Sequence, residues 1–221
     1  MLSIEDALDK IRRGITPLTT EEILITHALG RVLARDVVAT VSHPPQAVSA
    51  MDGYAVRAED ASSVPVTLTQ IGEAAAGHVF DGQIGPGECT RIFTGGALPN
   101  GADSIVIQED TTADGDQITI NDAASPGEWV RPEGLDFAAG KILLGAGRVL
   151  SARDIGLAAA AGATWVRVRR KPRIAVLSTG DEIVMPGAER RADQIVSSNS
   201  VALVAYASVL GADGTSIGIA A

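Results

Sequence analysis

The chain has 221 residues, of which 46% are hydrophobic and 20% charged, and its 18 basic and 27 acidic side chains give a formal net charge of -9. This composition supplies a core for one large or two small domains and excludes a disordered chain. An acidic chain with 3% aromatic residues lacks the positive surface and the stacking side chains of a nucleic-acid-binding protein. We therefore expect neither DNA nor RNA as a partner.

Signals for disulfides, metals and membranes are weak. The single cysteine, Cys89, excludes an intramolecular disulfide, and the histidines at positions 27, 43 and 78 have no metal-ligand spacing. We interpret Cys89 as a small buried strand residue rather than a nucleophile. No apolar run reaches the roughly 18 residues needed to span a bilayer, and the N-terminus is acidic rather than leader-like. These features predict a cytoplasmic protein without a membrane partner.

The first predicted element is an amphipathic helix. Ser3 with Asp6 has the pattern of a capping box, and apolar residues then recur at helical spacing until Gly14. Strand-like residues follow at 36–38. Residues 42–45, Ser-His-Pro-Pro, are predicted to be an extended linker, because the residue before a proline avoids the helical conformation.

From about residue 47 to 134 the sequence has short β-rich runs separated by glycine-containing turns. Clear examples are 64–68, 89–93 and 104–107, together with the hairpin pattern Asp114-Gly115-Asp116. This stretch predicts a compact all-β domain.

The helical pattern returns after the β-rich stretch. Ser151 with Asp154 forms a second capping box, the helix is expected to end near Gly162, and the alternation at 165–169 predicts a half-exposed strand.

The last segment, 171–221, has the order of a βαβ unit. A buried strand at 173–178 is followed by a polar loop, a helix capped by Asn199 or Ser200, and a second strand at 215–219. Ligands of such units lie beyond the carboxyl ends of the strands.

Together these elements predict a multidomain α+β protein. A discontinuous first domain contains an inserted all-β domain and is followed by the beginning of an α/β domain that is incomplete. The predicted boundaries are 1–46 plus 135–170 for the first domain, 47–134 for the insertion and 171–221 for the α/β domain.

Two predicted loops in the β domain carry residues suited to anion or metal chemistry. The stretch 49–55, S-A-M-D-G-Y-A, places the carboxylate of Asp52 beside a glycine, although taken alone it is more readily explained as an ordinary turn. Thr94-Gly95-Gly96 follows a strand, and its backbone N–H groups suit an anion, although a glycine-rich hairpin explains it equally well.

Two further loops have the same ambiguity. The charges of R-P-E-G-L-D at 131–136 suit either a site or a solvated loop. S-T-G-D-E at 178–182 stands at the carboxyl end of a predicted parallel strand, where Mg²⁺ and a phosphate ligand are expected; the alternative is a surface loop. The Walker A, G-x-S-x-G and complete G-x-G-x-x-G patterns are absent, which excludes the usual P-loop, α/β-hydrolase and dinucleotide-binding motifs.

The loops as an ordered set resemble the molybdopterin molybdenumtransferase family, which includes MoeA and the E domain of gephyrin. The similar motifs, in order and spacing, are S-A-M-D-G-Y-A at 49–55, R-I-F-T-G at 91–95, R-P-E-G-L-D at 131–136 and L-S-T-G-D-E at 177–182. A-L-G-R-V-L-A at 28–34 and Q-I-V-S-S-N at 194–199 agree. Each motif alone is modest, but the resemblance covers essentially the whole chain and the ordered set is highly specific.

The resemblance implies an enzyme of molybdenum cofactor biosynthesis. Such an enzyme inserts molybdenum from molybdate into adenylylated molybdopterin (molybdopterin-AMP) with Mg²⁺ and releases AMP. The family is also expected to form an elongated homodimer, whose site lies between the α/β domain of one subunit and the first two domains of the other, and to work with other molybdenum cofactor biosynthesis proteins. The alternative is a non-catalytic dimeric scaffold or a pterin-binding protein of the gephyrin type.

The resemblance also implies site residues. The catalytic residues, which are at the same time the implied Mg²⁺ ligands, are Asp52, Asp136 and Glu182. The implied substrate-binding residues are Thr94, Gly95, Ser178, Thr179, Gly180, Asp181, Ser198 and Asn199. By their chemistry, the carboxylates suit binding Mg²⁺ through water or holding protons, and Thr94 with the backbone of 95–96 suits donation to an oxyanion.

The sequence departs from the family pattern in two places. Pro45 is followed by Gln46, where the family usually has an aromatic or acidic residue. The chain also stops at Ala221, before the later loops and the C-terminal domain of the family. We therefore expect a C-terminally truncated chain that is inactive alone.

Overall fold

The computed structural model describes residues 2–220. Its helices are α1 (Ile4–Gly14), α2 (Ala152–Ala160) and α3 (Ser198–Val209), and 3-10 turns lie at Ile25–His27 and Gln108–Asp110. Its strands are β1 (Thr20–Leu24), β2 (Val37–Val38), β3 (Val48–Ser49), β4 (Gly53–Val56), β5 (Val66–Ala74), β6 (Glu88–Ile92), β7 (Ser104–Ile107), β8 (Thr111–Asp114), β9 (Gln117–Ile120), β10 (Val130–Arg131), β11 (Ile142–Leu144), β12 (Trp165–Arg169), β13 (Arg173–Thr179), β14 (Ile183–Val184), β15 (Ile195–Val196) and β16 (Asp213–Ala220).

The chain packs into two compact units. The first unit contains the residues up to Val37, Ile142–Ala159 and the residues from Ala163 onward. The second unit contains Val38–Lys141 with Ala160–Gly162. The α+β class is confirmed, and the three-domain boundaries predicted above stay a prediction.

Both predicted capping boxes in the first unit are confirmed. The Asp6 N–H donates to Ser3 Oγ at 3.1 Å and begins α1. Before α2, the Ser151 N–H donates to Asp154 Oδ2 at 2.9 Å and the Asp154 N–H donates to Ser151 Oγ at 3.3 Å. Each cap satisfies N–H groups that the first helical turn leaves without intrahelical partners.

The core of the first unit lies around the antiparallel pair β1–β12, whose register joins Thr20 to Arg169. Its most buried side chains include Leu33, Leu150 and Val168, each no more than 1% exposed. Helix α1 contributes no buried residue. Its apolar face is therefore not part of that core.

The second unit is built on a six-stranded sheet with the order β7-β4-β6-β5-β9-β8. Strands β5 and β6 are parallel and the other neighbours are antiparallel. Alternate residues of β4 join different hydrophobic clusters: Tyr54 and Val56 one, Ala55 the other. The all-β character predicted for this stretch is confirmed, and β4 is covered on both faces.

The predicted linker at 42–45 is hydrogen-bonded to the segment that follows β10. The His43 N–H donates to the Phe137 carbonyl at 2.8 Å, and the His43 carbonyl accepts from the Asp136 N–H at 3.0 Å. The Gly134 N–H donates to the Pro44 carbonyl at 2.9 Å. His43 forms an isolated antiparallel bridge with Phe137, whereas residues 44–46 form a bend, so an extended backbone is found at His43 and not over the whole predicted stretch. The interpretation as a linker did not anticipate that its backbone groups find partners about 90 residues away in sequence.

Residues 173–220 form the predicted βαβ arrangement. Strands β13 and β16 are parallel, and α3 lies between them in sequence. The helix starts at Ser198 after the N-cap residue Ser197, so the prediction of a cap at Asn199 or Ser200 was wrong. Within residues 2–220 no helix is both long and apolar enough to cross a membrane.

Candidate functional site

Asp52 and Thr94 meet at one end of the six-stranded sheet. Asp52 immediately precedes β4 and Thr94 follows β6, and the antiparallel register joins Gly53 to Ile92. The register therefore brings the loop before β4 beside the loop after β6. Both the backbone N–H and the hydroxyl of Thr94 donate to Asp52 Oδ1, each at 2.7 Å.

These two hydrogen bonds favour the ionised form of Asp52. The bond from the Thr94 N–H, followed by that from its hydroxyl, lowers the pKa of the Asp52 carboxyl below its ordinary value. Desolvation opposes this effect and the charge of Arg91 adds to it. Asp52 is therefore a carboxylate at neutral pH, and its second oxygen, Oδ2, takes no part in the Thr94 pair.

The backbone of the neighbouring glycines is used to join the two loops. The Gly95 N–H donates to the Ser49 carbonyl at 2.9 Å, and the Ser49 N–H donates to the Gly96 carbonyl at 2.9 Å. The Gly96 N–H donates to the Phe93 carbonyl at 2.8 Å. These N–H groups were predicted to face an oxyanion, and in the structure they hold the loops instead. A role for Gly95 in substrate binding stays a prediction, and it requires an atom other than the N–H, which already donates to Ser49.

Asp136 belongs to the same unit but has a different environment. Nη2 of Arg131 donates to both of its carboxylate oxygens, at 3.1 and 3.0 Å. His43 Nε2 lies 3.7 Å from Oδ2, and the His43 ring stacks on Phe137 with ring centroids 5.7 Å apart. The structure thus pairs Asp136 with Arg131 and His43, neither of which was predicted as a site residue.

Four of the predicted substrate-binding residues line one cavity in the first unit. The cavity, of about 250 Å³, lies where β13 ends and α3 begins, and its lining includes Ser178, Thr179, Ser198 and Asn199. Placing these residues at the carboxyl end of a parallel strand agrees with the usual position of ligands in α/β folds.

A chain of serine hydroxyls supports this cavity. The Ser197 hydroxyl lies 3.1 Å from that of Ser178 and 2.7 Å from that of Ser200. Ser197 and Ser200 are 6% and 2% exposed. Sequence analysis predicted neither Ser197 nor Ser200 as a site residue. The signal that could have indicated them is the run of serines at the start of α3.

The loop after β13 carries the remaining predicted residues. The Glu182 carboxylate folds back over Gly180, where a Cβ atom would come within 2.6 Å of a carboxylate oxygen. Only a residue without a side chain allows that approach. The Glu182 carbonyl accepts from the Ile195 N–H at 2.6 Å, which joins the loop to β15. Asp181 lies in the same loop and, like Glu182, belongs to the first unit.

A protein-only metal cage is not formed by the described part of the chain. Across residues 2–220, no three His, Cys, Asp or Glu side chains converge in a manner that holds a metal ion. Mg²⁺ usually keeps several waters and binds one or two carboxylates together with substrate phosphates. Asp52, which is charged and has Oδ2 outside the Thr94 pair, fits that mode, whereas both oxygens of Asp136 already accept from Arg131.

Most of the chain matches the model of one protein family. The model of the MoeA N-terminal region (domain I and II) matches residues 2–162.

Curated relatives extend this match. The chain is 40% identical over 204 residues to the molybdopterin molybdenumtransferase of Nostoc sp., covering 90% of this chain and 47% of that protein. It is also 40% identical over 200 residues to molybdopterin molybdenumtransferase 2 of Mycobacterium tuberculosis, covering 89% of this chain and 49% of the relative. The chain spans about half the length of the curated relatives it matches.

Solved structures agree with the sequence comparisons. Two crystal structures of the molybdopterin biosynthesis MoeA protein of Pyrococcus horikoshii match with TM-scores of 0.88 and 0.93 and sequence identities of 37% and 30%. They cover 98% and 100% of this chain and 56% and 60% of the matched chains.

Proposed function

Because this chain belongs to the MoeA family, we propose that it takes part in molybdenum cofactor biosynthesis as a molybdopterin molybdenumtransferase. In the proposed reaction, molybdenum from molybdate enters adenylylated molybdopterin and AMP is released, in a step that depends on Mg²⁺. The observation that supports the proposal is the pairing of Asp52 with Thr94, which keeps a carboxylate ionised at the end of the sheet. The proposed activity is the one for which the relatives are named.

We assign the Mg²⁺ of the proposed reaction to Asp52 together with a phosphate of the substrate. When bound, Mg²⁺ would neutralise charge on that phosphate. Thr94 holds Oδ1 and thereby orients the carboxylate, and Oδ2 would be the oxygen that holds the ion directly or through water. Asp136 stays a proposed catalytic residue, and its pair with Arg131 orients its carboxylate.

The cavity beside α3 is the proposed pterin-binding site of the first unit. Ser178, Thr179, Ser198 and Asn199 offer hydroxyl and amide groups to the polar edges and the phosphate of the pterin. Asp181 and Glu182 stay proposed site residues in the adjacent loop. Glu182 offers a carboxyl group of the kind that transfers protons, which the exchange of molybdate oxygens requires.

A direct assay tests the function. The complete protein, given adenylylated molybdopterin, molybdate and Mg²⁺, should release AMP and form the molybdenum cofactor. Glu182→Gln should abolish this activity and leave the Tm within a few degrees, since a change of a loop carboxylate usually alters stability by no more than about 0.5 kcal/mol.

The same assay separates the alternatives. Unimpaired cofactor formation by Glu182→Gln would contradict the proposed role of that residue. Binding of the pterin by the wild-type protein without AMP release would favour a scaffold or a pterin-binding protein.

We also propose that the protein is a cytoplasmic homodimer. The apolar face of α1 supports this assembly, because Ile4, Leu8 and Ile11 are 75%, 44% and 58% exposed. A second copy of the chain that covers such a face would bury apolar surface that is otherwise in water. Light scattering at micromolar concentration should give a dimer mass, and the double variant Ile4→Glu/Ile11→Glu should shift it toward the monomer. A monomeric wild-type mass would refute the dimer.

A further inference from the structure

The Arg91 guanidinium contacts two aromatic rings beside the Asp52 and Thr94 loops. It belongs to β6, opposite Tyr54 of β4 in the antiparallel register. The centre of its guanidinium is 5.1 Å from the centroid of the Tyr54 ring and 4.9 Å from that of Phe93. Contacts of this kind hold a planar cation in one orientation.

The same guanidinium connects the residues around Asp52. Nη1 of Arg91 donates to the Gly53 carbonyl at 3.2 Å, and Nη2 donates to Gln108 Oε1 at 2.7 Å. Gln108 in turn donates its backbone N–H to the Asp52 carbonyl at 3.0 Å. Both peptide carbonyls of the Asp52–Gly53 turn are therefore held by Arg91 and Gln108.

The contacts of Arg91 and Gln108, together with the Asp52–Thr94 pair, form a hydrogen-bonded frame around Asp52. Arg91 and Gln108 hold the backbone of the Asp52 turn, while Thr94, three residues after Arg91, holds the Asp52 side chain. The geometry points to Arg91 and Gln108 as positioning residues that keep the Asp52 carboxylate aligned on Thr94. Their relevance to catalysis rests on the proposed function, and the frame itself does not.

Substitutions of Arg91 and Gln108 can remove the side-chain contacts that join them without removing charge or backbone donors. The planar guanidinium spans two acceptors at once, which a lysine ammonium on a flexible stem cannot reproduce. Arg91→Lys thus keeps the positive charge near Asp52 and removes the bridge. Gln108→Ala removes the side-chain acceptor and leaves the backbone N–H that contacts Asp52.

The test follows the Thr94 N–H, the donor to Asp52, by NMR in the 221-residue chain. Arg91→Lys and Gln108→Ala should each increase its hydrogen-exchange rate at least tenfold and change its proton chemical shift. Exchange at Ile118 and Ile120, which are fully buried in β9, should change less than twofold and reports global stability. Arg153→Lys, a matched change at an exposed position of α2, should alter none of these signals.

A double-mutant comparison identifies the route of the effect. In an Asp52→Ala background the acceptor is gone, so Arg91→Lys should change Thr94 exchange less than twofold further. An unchanged Thr94 signal in Arg91→Lys, or the same tenfold effect in the Asp52→Ala background, would overturn the inference. The NMR readout requires no substrate, so it stands or fails separately from the molybdenum insertion assay.

Discussion

Asp52 shows how one neighbouring residue sets the charge state of a site carboxylate. Thr94 provides two donors to a single oxygen, at 2.7 Å each, and these bonds stabilise the ionised form more than desolvation destabilises it. A carboxylate whose pKa is lowered stays charged, and so available to a cation, over a wider pH range.

Removing one of these donors should raise the pKa of Asp52. Thr94→Val deletes the hydroxyl bond and keeps the backbone bond, so the pKa should rise toward its ordinary value without reaching it. Thr94→Ser keeps a hydroxyl and is the matched control. An NMR titration of the Asp52 carboxyl carbon measures the shift, and identical titrations for the Val and Ser variants would contradict this explanation.

Asp154 gives a second prediction at the residue scale, for stability. The hydrogen bond from Arg148, with those from the Ser151 backbone and hydroxyl, lowers the pKa of Asp154 to about 2. Its folded pKa lies below the ordinary value of 3.8, so its contribution to stability is fully present above about pH 4 and is lost as pH falls toward 2. Asp154→Asn should therefore destabilise the protein more at pH 6 than at pH 3.

Urea unfolding at the two pH values measures this difference. Asp9→Asn is the control, because its ion pair with Arg12 is 3.7 Å long and both side chains are mostly exposed. Equal destabilisation by Asp154→Asn at pH 6 and pH 3 would show that the ionised form of Asp154 is not what stabilises the helix start.

At the scale of elements, β4 is both a buried strand of the six-stranded sheet and the strand that positions Asp52. It lies between β6 and β7 and begins directly after Asp52. All four of its residues are buried. Any displacement of this strand therefore also displaces the turn that carries the site carboxylate.

Gly53 is a position of β4 with no room for a side chain. A Cβ atom there would overlap the backbone carbonyl of Val106 in β7, and a strand backbone has no side-chain freedom to relieve this contact. Gly53→Ala should destabilise the protein by about 1–3 kcal/mol, the usual cost of overpacking. It should also change the Thr94 amide signal.

Gly145→Ala is the matched control for this prediction. A Cβ atom at Gly145 has no neighbour within 4 Å among the described residues, and the substitution should change stability by less than about 0.5 kcal/mol. Urea unfolding compares the two variants. Equal stabilities would show that β7 adjusts to the added methyl group.

The elements also show where local patterns were sufficient. The capping boxes of α1 and α2 and the hairpin of β8 and β9 were predicted correctly because their residues lie within a few positions in sequence. The N-cap of α3 was predicted two or three residues late. The N-cap, Ser197, makes no side-chain capping bond. The sequence pattern that marks a helix start depends on such a bond, and so it did not identify Ser197.

At the scale of the whole molecule, residues 173–220 differ from the β-rich unit in how little they bury. They form a two-stranded parallel sheet, a short parallel pair and one helix, and leave large apolar side chains exposed. Examples are Leu177 at 51%, Val209 at 83% and Ile217 at 57% exposure. Parallel sheets are usually covered on both faces.

We therefore expect the 221-residue chain to be inactive alone. Given adenylylated molybdopterin, molybdate and Mg²⁺, it should form no cofactor, because the segment that carries Asp181 and Glu182 buries too little apolar surface to hold a rigid site. Hydrogen exchange over residues 173–219 should be weakly protected compared with β5 and β9. Turnover by this chain, or strong protection of that segment, would contradict the prediction.

The amino-acid sequence by itself determined the family, the α+β class and the identity of the loops, since these depend on motif order and on patterns a few residues long. Tertiary structure decided which loop residues meet. Thr94 lies 42 residues from Asp52 and reaches it through the register of β4 with β6. Arg91 was visible in a motif, but its contacts with Gly53 and Gln108 arise only when three strands pair. Sequence analysis reads short-range preferences, whereas such long-range contacts follow from strand pairing and burial.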